Sequence, residues 1–195
     1  MKTRFVLINT SHAGNVGAAA RAMKVMGFDD LVLVAPRWPN VLRKEETIQR
    51  ASGALDVLEK ARIVATLDEA LEGISHLCAT AMTPRDFGPP TVEPRAHFEM
   101  LLKQERLALD TQALQPENAS SAVAGEADGG SPAPAGAHTG VAFLFGSERF
   151  GMINEDVYRC HAALSIPTNP GFGSLNLGAA IQVIAYDWRQ ALGGF

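Results

Sequence analysis

The sequence has little of several features that mark large classes of protein. Its 195 residues include only two cysteines, two tryptophans and two tyrosines. The two cysteines, Cys78 and Cys160, lack the spacing of a metal site, which favours reduced thiols in the core over a disulfide framework. No apolar run is long enough to cross a bilayer, and no charged and then apolar leader precedes the first strand pattern. We therefore expect a cytoplasmic protein.

The chain also lacks a strong charge of either sign, since its formal net charge is −4. This balance leans against a protein whose whole surface binds nucleic acid. The charges are unevenly distributed, because residues 1 to 60 hold nine lysines and arginines against six aspartates and glutamates. That region carries +3 and the remaining 135 residues carry −7. A local basic face is compatible with this distribution.

Short apolar runs alternate with segments of helical pattern, and both can be assigned from the sequence. The predicted strands are 4–9, 31–34, 62–65, 76–80, 141–145 and 163–166. The predicted helices are 16–26, 45–58, 67–71, 96–109, 154–158 and 175–192, and 81–94 is predicted to be a loop with four prolines. This alternation predicts an α/β fold whose largely parallel sheet is covered on both faces.

One segment breaks the alternation. Of the 22 residues from 119 to 140, 17 are alanine, glycine, serine or proline. Such a composition buries too little apolar surface to offset the entropy lost on ordering. We therefore predict a single domain over residues 1–195 with a flexible insertion at about 112–140.

The most informative passage runs from Leu164 to Gln182, where a short strand enters a loop with two prolines and two glycines. Proline fixes φ and glycine permits conformations that other residues avoid. The loop delivers Ser174 and Asn176 to the start of a helix, where free backbone N–H groups favour ligands. An ordinary strand-to-helix connection has the same local features.

Two further loops carry unusual chemistry. Small residues at 17–20 allow close packing of a helix that carries Asn15 and Arg21, and the guanidinium fork of arginine suits phosphate. The alternative is a packing helix with one solvated arginine. In the second loop, Gly146 would let a ligand approach the backbone, and Glu148 would bind polar groups or brace the loop. The alternative is a surface turn with an incidental acid–base pair.

Some activities are disfavoured. The Gly-x-Gly-x-x-Gly fingerprint of dinucleotide-binding proteins is absent, and so is the Gly-x-Ser-x-Gly elbow of hydrolases, while Ser174 has no evident base. The five histidines form no metal-ligand pattern, so we expect no metal site. They are His12, His76, His97, His138 and His161.

Together the three loops resemble the motifs of the SPOUT superfamily of RNA methyltransferases, in its SpoU/TrmH branch. Asn-x-Gly-x-x-x-Arg-x-Met at 15–23 is similar to the first motif and Phe-Gly-Ser-Glu-Arg-Phe-Gly-Met at 145–152 to the second. Ile-Pro-x-x-x-x-x-x-Ser-Leu-Asn-Leu-x-x-Ala at 166–180 is similar to the third. Order and spacing match over nearly the whole chain outside the insertion.

Three other segments, at 10–15, 66–71 and 182–186, are most similar to the members that methylate a tRNA ribose 2′-hydroxyl in the anticodon loop. The resemblance implies an S-adenosylmethionine-dependent tRNA (cytidine/uridine-2′-O-)-methyltransferase acting on nucleotide 32. The alternatives are another tRNA position, ribosomal RNA, or a non-catalytic RNA-binding paralogue, and the presence of Asn15, Arg21 and Ser174 argues against the last of these. Similar members continue into a C-terminal extension that helps bind tRNA, whereas this sequence ends at Phe195 after the last predicted helix.

The resemblance also implies a C-terminal deep trefoil knot, a homodimer, and a site completed by the first-motif helix of the partner. The implied catalytic and substrate-positioning residues are Arg21, Asn15, Ser174, Asn176 and Glu148. The implied cofactor-binding residues are Thr80, Ala81, Met82, Gly146, Ile166, Ser174, Leu175 and Asn176.

Overall fold

The structure, a computed structural model, describes residues 1–81, 84–113 and 140–195. Its strands are β1 (Lys2–Ile8), β2 (Leu31–Val34), β3 (Arg62–Val64), β4 (His76–Thr80), β5 (Thr91–Val92), β6 (Gly140–Phe145) and β7 (Ala162–Leu164). Its helices are α1 (Ala13–Val25), α2 (Glu45–Ala51), α3 (Leu55–Lys60), α4 (Leu67–Ala70), α5 (Pro94–Ala113), α6 (Asn154–Tyr158) and α7 (Leu177–Ala191).

The strands form one sheet in the order β3-β2-β1-β6-β4-β7-β5. Every pair of neighbours is parallel, and β6 at the centre pairs with β1 and β4. All six residues of β6 are buried, which explains why its sequence is a continuous apolar run. The predicted α/β fold with a parallel sheet is confirmed.

Helices cover both faces of this sheet. On one face α1, α5 and α7 pack over Phe5 and Phe143, and the fully buried Trp188 of α7 meets Phe98 of α5 edge to face at 5.1 Å. The indole N–H of Trp188 donates to the Thr3 hydroxyl at 2.8 Å, so this large buried ring leaves no unpaired donor. On the other face α4 and α6 cover a smaller apolar cluster.

Several predicted boundaries differ from the structure, and three of them matter for the site and the sheet. The predicted helix 45–58 is two helices, because Ser52 has φ of 51° and ends α2. The predicted loop 81–94 contains β5, a two-residue edge strand, and proline is tolerated beside such an edge. The helix α1 begins at Ala13, so Asn15 lies in its first turn and not in the preceding loop.

The two cysteines are buried and free, as predicted. Burial raises the pKa of both thiols, of Cys78 and of Cys160, so both are neutral groups of the core. The predicted insertion at 112–140 lies almost entirely outside the described residues. Within 1–81, 84–113 and 140–195, no helix combines the length and the apolar character that a membrane span requires.

Candidate functional site

A cavity of about 610 Å³ opens where four neighbouring strands, β1, β6, β4 and β7, end. The volume is in the range of small-molecule sites, and parallel sheets bind ligands beyond the carboxyl ends of their strands. We call this the carboxyl-edge cavity. Its wall is formed by the first turn of α1 and by the loops that follow β4, β6 and β7, and these segments carry residues of all three motifs of the sequence.

Glu148, in the loop after β6, braces the loop after β1. Its carboxylate accepts hydrogen bonds from the backbone N–H of Ser11 at 2.9 Å, from the Ser11 hydroxyl at 2.8 Å and from Asn15 Nδ2 at 3.1 Å. Partial burial raises the pKa of Glu148, but these hydrogen bonds outweigh it and hold the pKa below its ordinary value. Glu148 is therefore a carboxylate at neutral pH that positions Asn15.

Gly146 is required by the packing of the chain against itself. A Cβ there would lie 2.1 Å from the carbonyl carbon of Gly151 and from the nitrogen of Met152. The loop closes through an antiparallel bridge between Ser147 and Gly151, and Gly151 has φ of 66°. Gly146 lines the cavity, but its small size serves the loop that folds back on it.

The end of β4 supplies the next part of the wall. Thr80 donates its hydroxyl to the carbonyl of Leu144 at 2.9 Å, and the N–H of Ala81 donates to the carbonyl of Leu164 at 3.2 Å. These bonds hold the exit of β4 between β6 and β7, and both residues line the cavity. The third residue predicted here, Met82, lies outside the described residues.

The loop from β7 to α7 closes the cavity. Ile166, Ser174, Leu175 and Asn176 all line it. Asn176 is the N-cap of α7, because its Oδ1 accepts a hydrogen bond from the N–H of Ala179 at 2.8 Å. The predicted helix start at 175 is therefore two residues early, and Asn176 has a structural contact that the sequence did not indicate.

Arg21 is the one predicted catalytic residue that does not line the cavity. It lies on α1, is exposed, and is not among the residues that line the cavity of its own chain. The small residues before it do pack closely, as predicted, since a Cβ on Gly17 would lie 2.2 Å from the carbonyl oxygen of Thr47 in α2.

Two features of this edge were not predicted. Arg85 lines the cavity and ties two loops together, since its Nε donates to Asn154 Oδ1 at 2.7 Å and its terminal nitrogen to the carbonyl of Met152 at 3.0 Å. Asn9 and Ala35, which follow β1 and β2, have φ of 55° and 43°. Left-handed backbone at non-glycine residues is unfavourable and concentrates at functional sites. No sequence pattern distinguishes these three residues.

The chain is similar to known proteins in both sequence and structure. Residues 2–186 match the model of the SpoU rRNA methylase family. The chain is 41% identical over 191 residues to the tRNA (cytidine/uridine/adenosine-2′-O-)-methyltransferase TrmJ of Pseudomonas aeruginosa (strain UCBPP-PA14). That alignment covers 97% of this chain and 61% of the relative, so the chain spans about three fifths of the length of that protein.

Two crystal structures are also similar. A probable methyltransferase from Bordetella pertussis Tohama I is 39% identical with a TM-score of 0.74, covering 98% of this chain and 96% of the other. TrmJ from Z. mobilis ZM4 is 32% identical with a TM-score of 0.72, covering 96% and 68%. With a family match over nearly its whole length and a likeness in structure to these proteins, the chain belongs to the SpoU rRNA methylase family.

Proposed function

We propose that the protein is an S-adenosylmethionine-dependent tRNA ribose 2′-O-methyltransferase. The observation that carries this proposal is the convergence of the three family motifs on one cavity of about 610 Å³. A TrmJ relative with 41% identity is named a tRNA (cytidine/uridine/adenosine-2′-O-)-methyltransferase, which supports the same substrate and reaction. The nucleotide we propose is position 32 of the anticodon loop.

The described wall of the carboxyl-edge cavity fits an adenosine-containing cofactor. Ile166 and Leu175 offer apolar surfaces for a base, and the backbone of Gly146 offers polar groups to its edge. Thr80 and Ala81 lie between them at the end of β4. S-adenosylmethionine supplies a methyl group already activated on a cationic sulfur. The chain then has to hold the ribose hydroxyl in line with that methyl group, so positioning contributes much of the catalysis.

We propose a homodimer in which Arg21 of the partner subunit completes the cavity. Arg21 lies on the same face of α1 as the half-buried Ala18 and Val25, which is 54% exposed. That face lies beside α7, because a Cβ on Gly178 would be 3.0 Å from the Cβ of Ala18. A surface that joins two helices and carries an exposed apolar side chain beside Arg21 fits an interface between copies.

In that arrangement Arg21 stabilises the reacting ribose. A guanidinium has five donors and no acceptor, so it cannot take the proton of the 2′-hydroxyl. It would bind the adjacent phosphate with its fork and stabilise the negative charge that develops on the ribose oxygen. Glu148 is also unsuited to be the base, because hydrogen bonds from Ser11 and Asn15 already occupy its carboxylate.

A basic and aromatic segment beside the cavity supports an RNA substrate. Trp38, after β2, is 37% exposed, and the cations of Arg37 and Lys44 lie 4.7 Å and 4.1 Å from its ring centroid. The N–H of Arg37 donates to the carbonyl of Thr10 at 3.0 Å, which joins this segment to the loop that carries Ser11. Aromatic rings and cations together suit an RNA loop with unstacked bases.

The same family supports a second substrate, ribosomal RNA, because its model is that of SpoU rRNA methylases. A non-catalytic RNA-binding paralogue is disfavoured, since Asn15 and Ser174 both line the cavity. We also propose that the segment leading to α7 is knotted through a preceding loop, as in the SPOUT superfamily. The packing of α7 on both α1 and α5 is compatible with that path.

The proposal is tested by incubating the protein with unmodified total tRNA, with ribosomal RNA and with labelled S-adenosylmethionine. We expect label in tRNA, and mapping should locate a 2′-O-methyl group at nucleotide 32. Label in ribosomal RNA alone would show that the substrate is ribosomal RNA and not tRNA, and would leave the proposed reaction unchanged. No label in any RNA, from protein that binds the cofactor in calorimetry, would overturn the enzymatic proposal.

A further inference from the structure

Three buried side chains that can bind a transition metal meet where β4 begins, far along the chain from the family motifs. Nε2 of His76 lies 2.9 Å from Nε2 of His97. One ligand atom of each of His76, Cys78 and His97 lies within 4.8 Å of the others. The exposed fractions of the three residues are 6%, 0% and 5%. We call these residues the His-Cys-His cluster.

The fold brings the cluster together in a way that sequence spacing does not indicate. His76 and Cys78 are two residues apart on β4, so their side chains point to the same face of the sheet. That face is covered by α5, which supplies His97 one residue before the core residue Phe98. The cluster therefore joins a central strand to the helix that packs over it.

A third histidine, His161, packs against the cluster. Its Nδ1 accepts a hydrogen bond and is therefore not counted among the metal ligands. The ring of His161 stacks on that of His76 with centroids 4.8 Å apart and an interplanar angle of 18°. Nδ1 of His161 accepts a hydrogen bond from the backbone N–H of Leu77 at 2.9 Å. The hydrogen bond holds the His161 ring, which covers one face of the His76 ring.

We propose that the His-Cys-His cluster is a zinc site. Imidazole nitrogen and thiolate sulfur are the donors that Zn²⁺ prefers, and three protein ligands leave a fourth position for water or another group. With Zn–N bonds of about 2.1 Å, two ligand nitrogens of a tetrahedral ion lie roughly 3.4 Å apart. The two Nε2 atoms, now 2.9 Å apart, need to separate by about 0.5 Å.

The alternative to a metal ion is a hydrogen bond between the two neutral imidazoles of His76 and His97. In that state one Nε2–H donates to the other Nε2, and the Cys78 thiol beside them stays neutral. Zinc would displace the thiol proton, while the proton shared by the imidazoles would move to Nδ1 of the ring that carried it, so that both rings bind as neutral ligands. The ion would join β4 to α5 through three bonds. Because the cluster is buried, zinc would bind during folding and stabilise the native state.

The test uses the full chain without a histidine tag, produced in zinc-supplemented medium. Elemental analysis should find about one zinc per chain. After removal of the metal by a chelator, Co²⁺ should restore a stoichiometric complex with the ligand-field bands of a tetrahedral site and a thiolate-to-cobalt charge-transfer band. The zinc-loaded protein should unfold at a higher temperature than the stripped protein.

Matched variants assign the ligands. Cys78→Ser should abolish the thiolate band and His97→Asn should weaken cobalt binding by at least roughly tenfold. Cys160→Ser and His12→Asn should change neither, because these residues lie outside the cluster. The chain has only two cysteines, so a thiolate band that survives in Cys160→Ser comes from Cys78 even if Cys78→Ser does not fold.

Two results would overturn the proposal. One is folded wild-type protein that contains no stoichiometric zinc and gives no cobalt spectrum. The other is a thiolate band that disappears in Cys160→Ser and persists in Cys78→Ser. Neither result bears on methyl transfer, which uses the opposite end of β4.

Discussion

The two ends of the sheet carry two cavities that differ in chemistry more than in size. The cavity at the amino ends of the strands is the larger, at about 840 Å³ against about 610 Å³. We call it the amino-edge cavity. Its charged residues are largely paired with one another, as Arg4 with Asp30 and Lys60 with Asp29. Around the smaller cavity, the loops after β1, β4 and β6 are held by short polar contacts.

The difference indicates that volume alone does not identify a site. Arg4 is 2% exposed and donates to Asp30 and to the carbonyls of Ala70 and Glu72, so its guanidinium is committed to the fold. The polar groups at the carboxyl edge instead brace loops around a space whose walls combine polar and apolar side chains. Changes at the carboxyl edge should therefore alter cofactor binding or catalysis, and changes at the amino edge should alter stability.

The largest effect is expected for Arg21→Lys, which keeps the charge and removes the fork. Turnover of RNA should fall by about 100- to 1000-fold, the loss typical of a donor to a developing anion. Cofactor affinity in calorimetry should stay unchanged, because the contacts proposed for Arg21 are with the phosphate and the ribose of the RNA. Lys24→Arg, on the same helix, is the control and should retain activity.

Mixing subunits sharpens that prediction. Leu175→Arg should block the cavity by bulk and by repulsion of the cationic sulfur. When Arg21→Lys and Leu175→Arg are co-expressed, a mixed dimer has one site with an intact cavity and an intact Arg21 of the partner subunit. Activity should return in the mixture. Continued inactivity of isolated mixed dimers would contradict completion of the site by the partner.

At the amino edge, Arg4→Met should lower the free energy of unfolding by about 3 kcal/mol, because it leaves Asp30 and two carbonyls without their buried partner. Denaturant unfolding measures this loss. The folded fraction should bind S-adenosylmethionine with wild-type affinity. A large loss of cofactor affinity in folded Arg4→Met protein would move the functional site toward the amino edge.

Gly146→Ala should disturb the carboxyl edge, since its Cβ would meet the backbone at 2.1 Å. Overpacking of this kind costs about 1–3 kcal/mol, and we expect cofactor affinity to fall with it. Gly53→Ala is the matched control, because a Cβ there meets nothing within 4 Å. Equal cofactor affinities of the two variants would show that the loop after β6 does not shape the site.

Trp38→Ala tests the RNA side of the carboxyl edge. Loss of a stacking ring costs about 1–3 kcal/mol per base, so tRNA affinity should fall by roughly tenfold or more. Cofactor affinity should not change, because Trp38 lies outside the cavity wall. Trp38→Phe keeps an aromatic ring and should retain most of the affinity in filter binding. A loss of tRNA affinity as large in Trp38→Phe as in Trp38→Ala would argue against stacking.

The smallest effect concerns Glu148 and pH. Its pKa is lowered in the folded chain, so its contribution to stability is complete above the ordinary glutamate pKa of about 4.3 and is lost as pH falls through the lowered value. In Glu148→Gln, the unfolding midpoint should no longer show the part of its decrease at low pH that comes from protonation of Glu148. Identical acid profiles of the variant and the wild type would contradict the brace to Ser11 and Asn15.

The sequence predicted the parts of the fold that depend on local pattern. The runs 31–34 and 76–80 were assigned as strands with the observed bounds, because apolar residues there are flanked by polar turns. The Thr-x-x-Glu pattern at 66–69 indicates an N-cap, and the Thr66 hydroxyl does accept a hydrogen bond from the N–H of Glu69 at the start of α4. The cavity wall could be predicted because the loops of a parallel sheet meet at one edge.

The remaining features depend on contacts between distant segments. The strand β5 exists because Thr91 and Val92 pair with β7, which no local pattern encodes. The His-Cys-His cluster forms only when α5 packs over β4 and brings His97 to His76. The position of Arg21 outside its own cavity likewise follows from the packing of α1.

The most direct test of the account is a crystal structure of the protein with S-adenosylhomocysteine. We predict the ligand in the carboxyl-edge cavity, with its base between Ile166 and Leu175, and Arg21 of the partner subunit at the cavity mouth. A ligand bound in the larger amino-edge cavity, or a carboxyl-edge cavity that stays empty at saturating ligand, would contradict it.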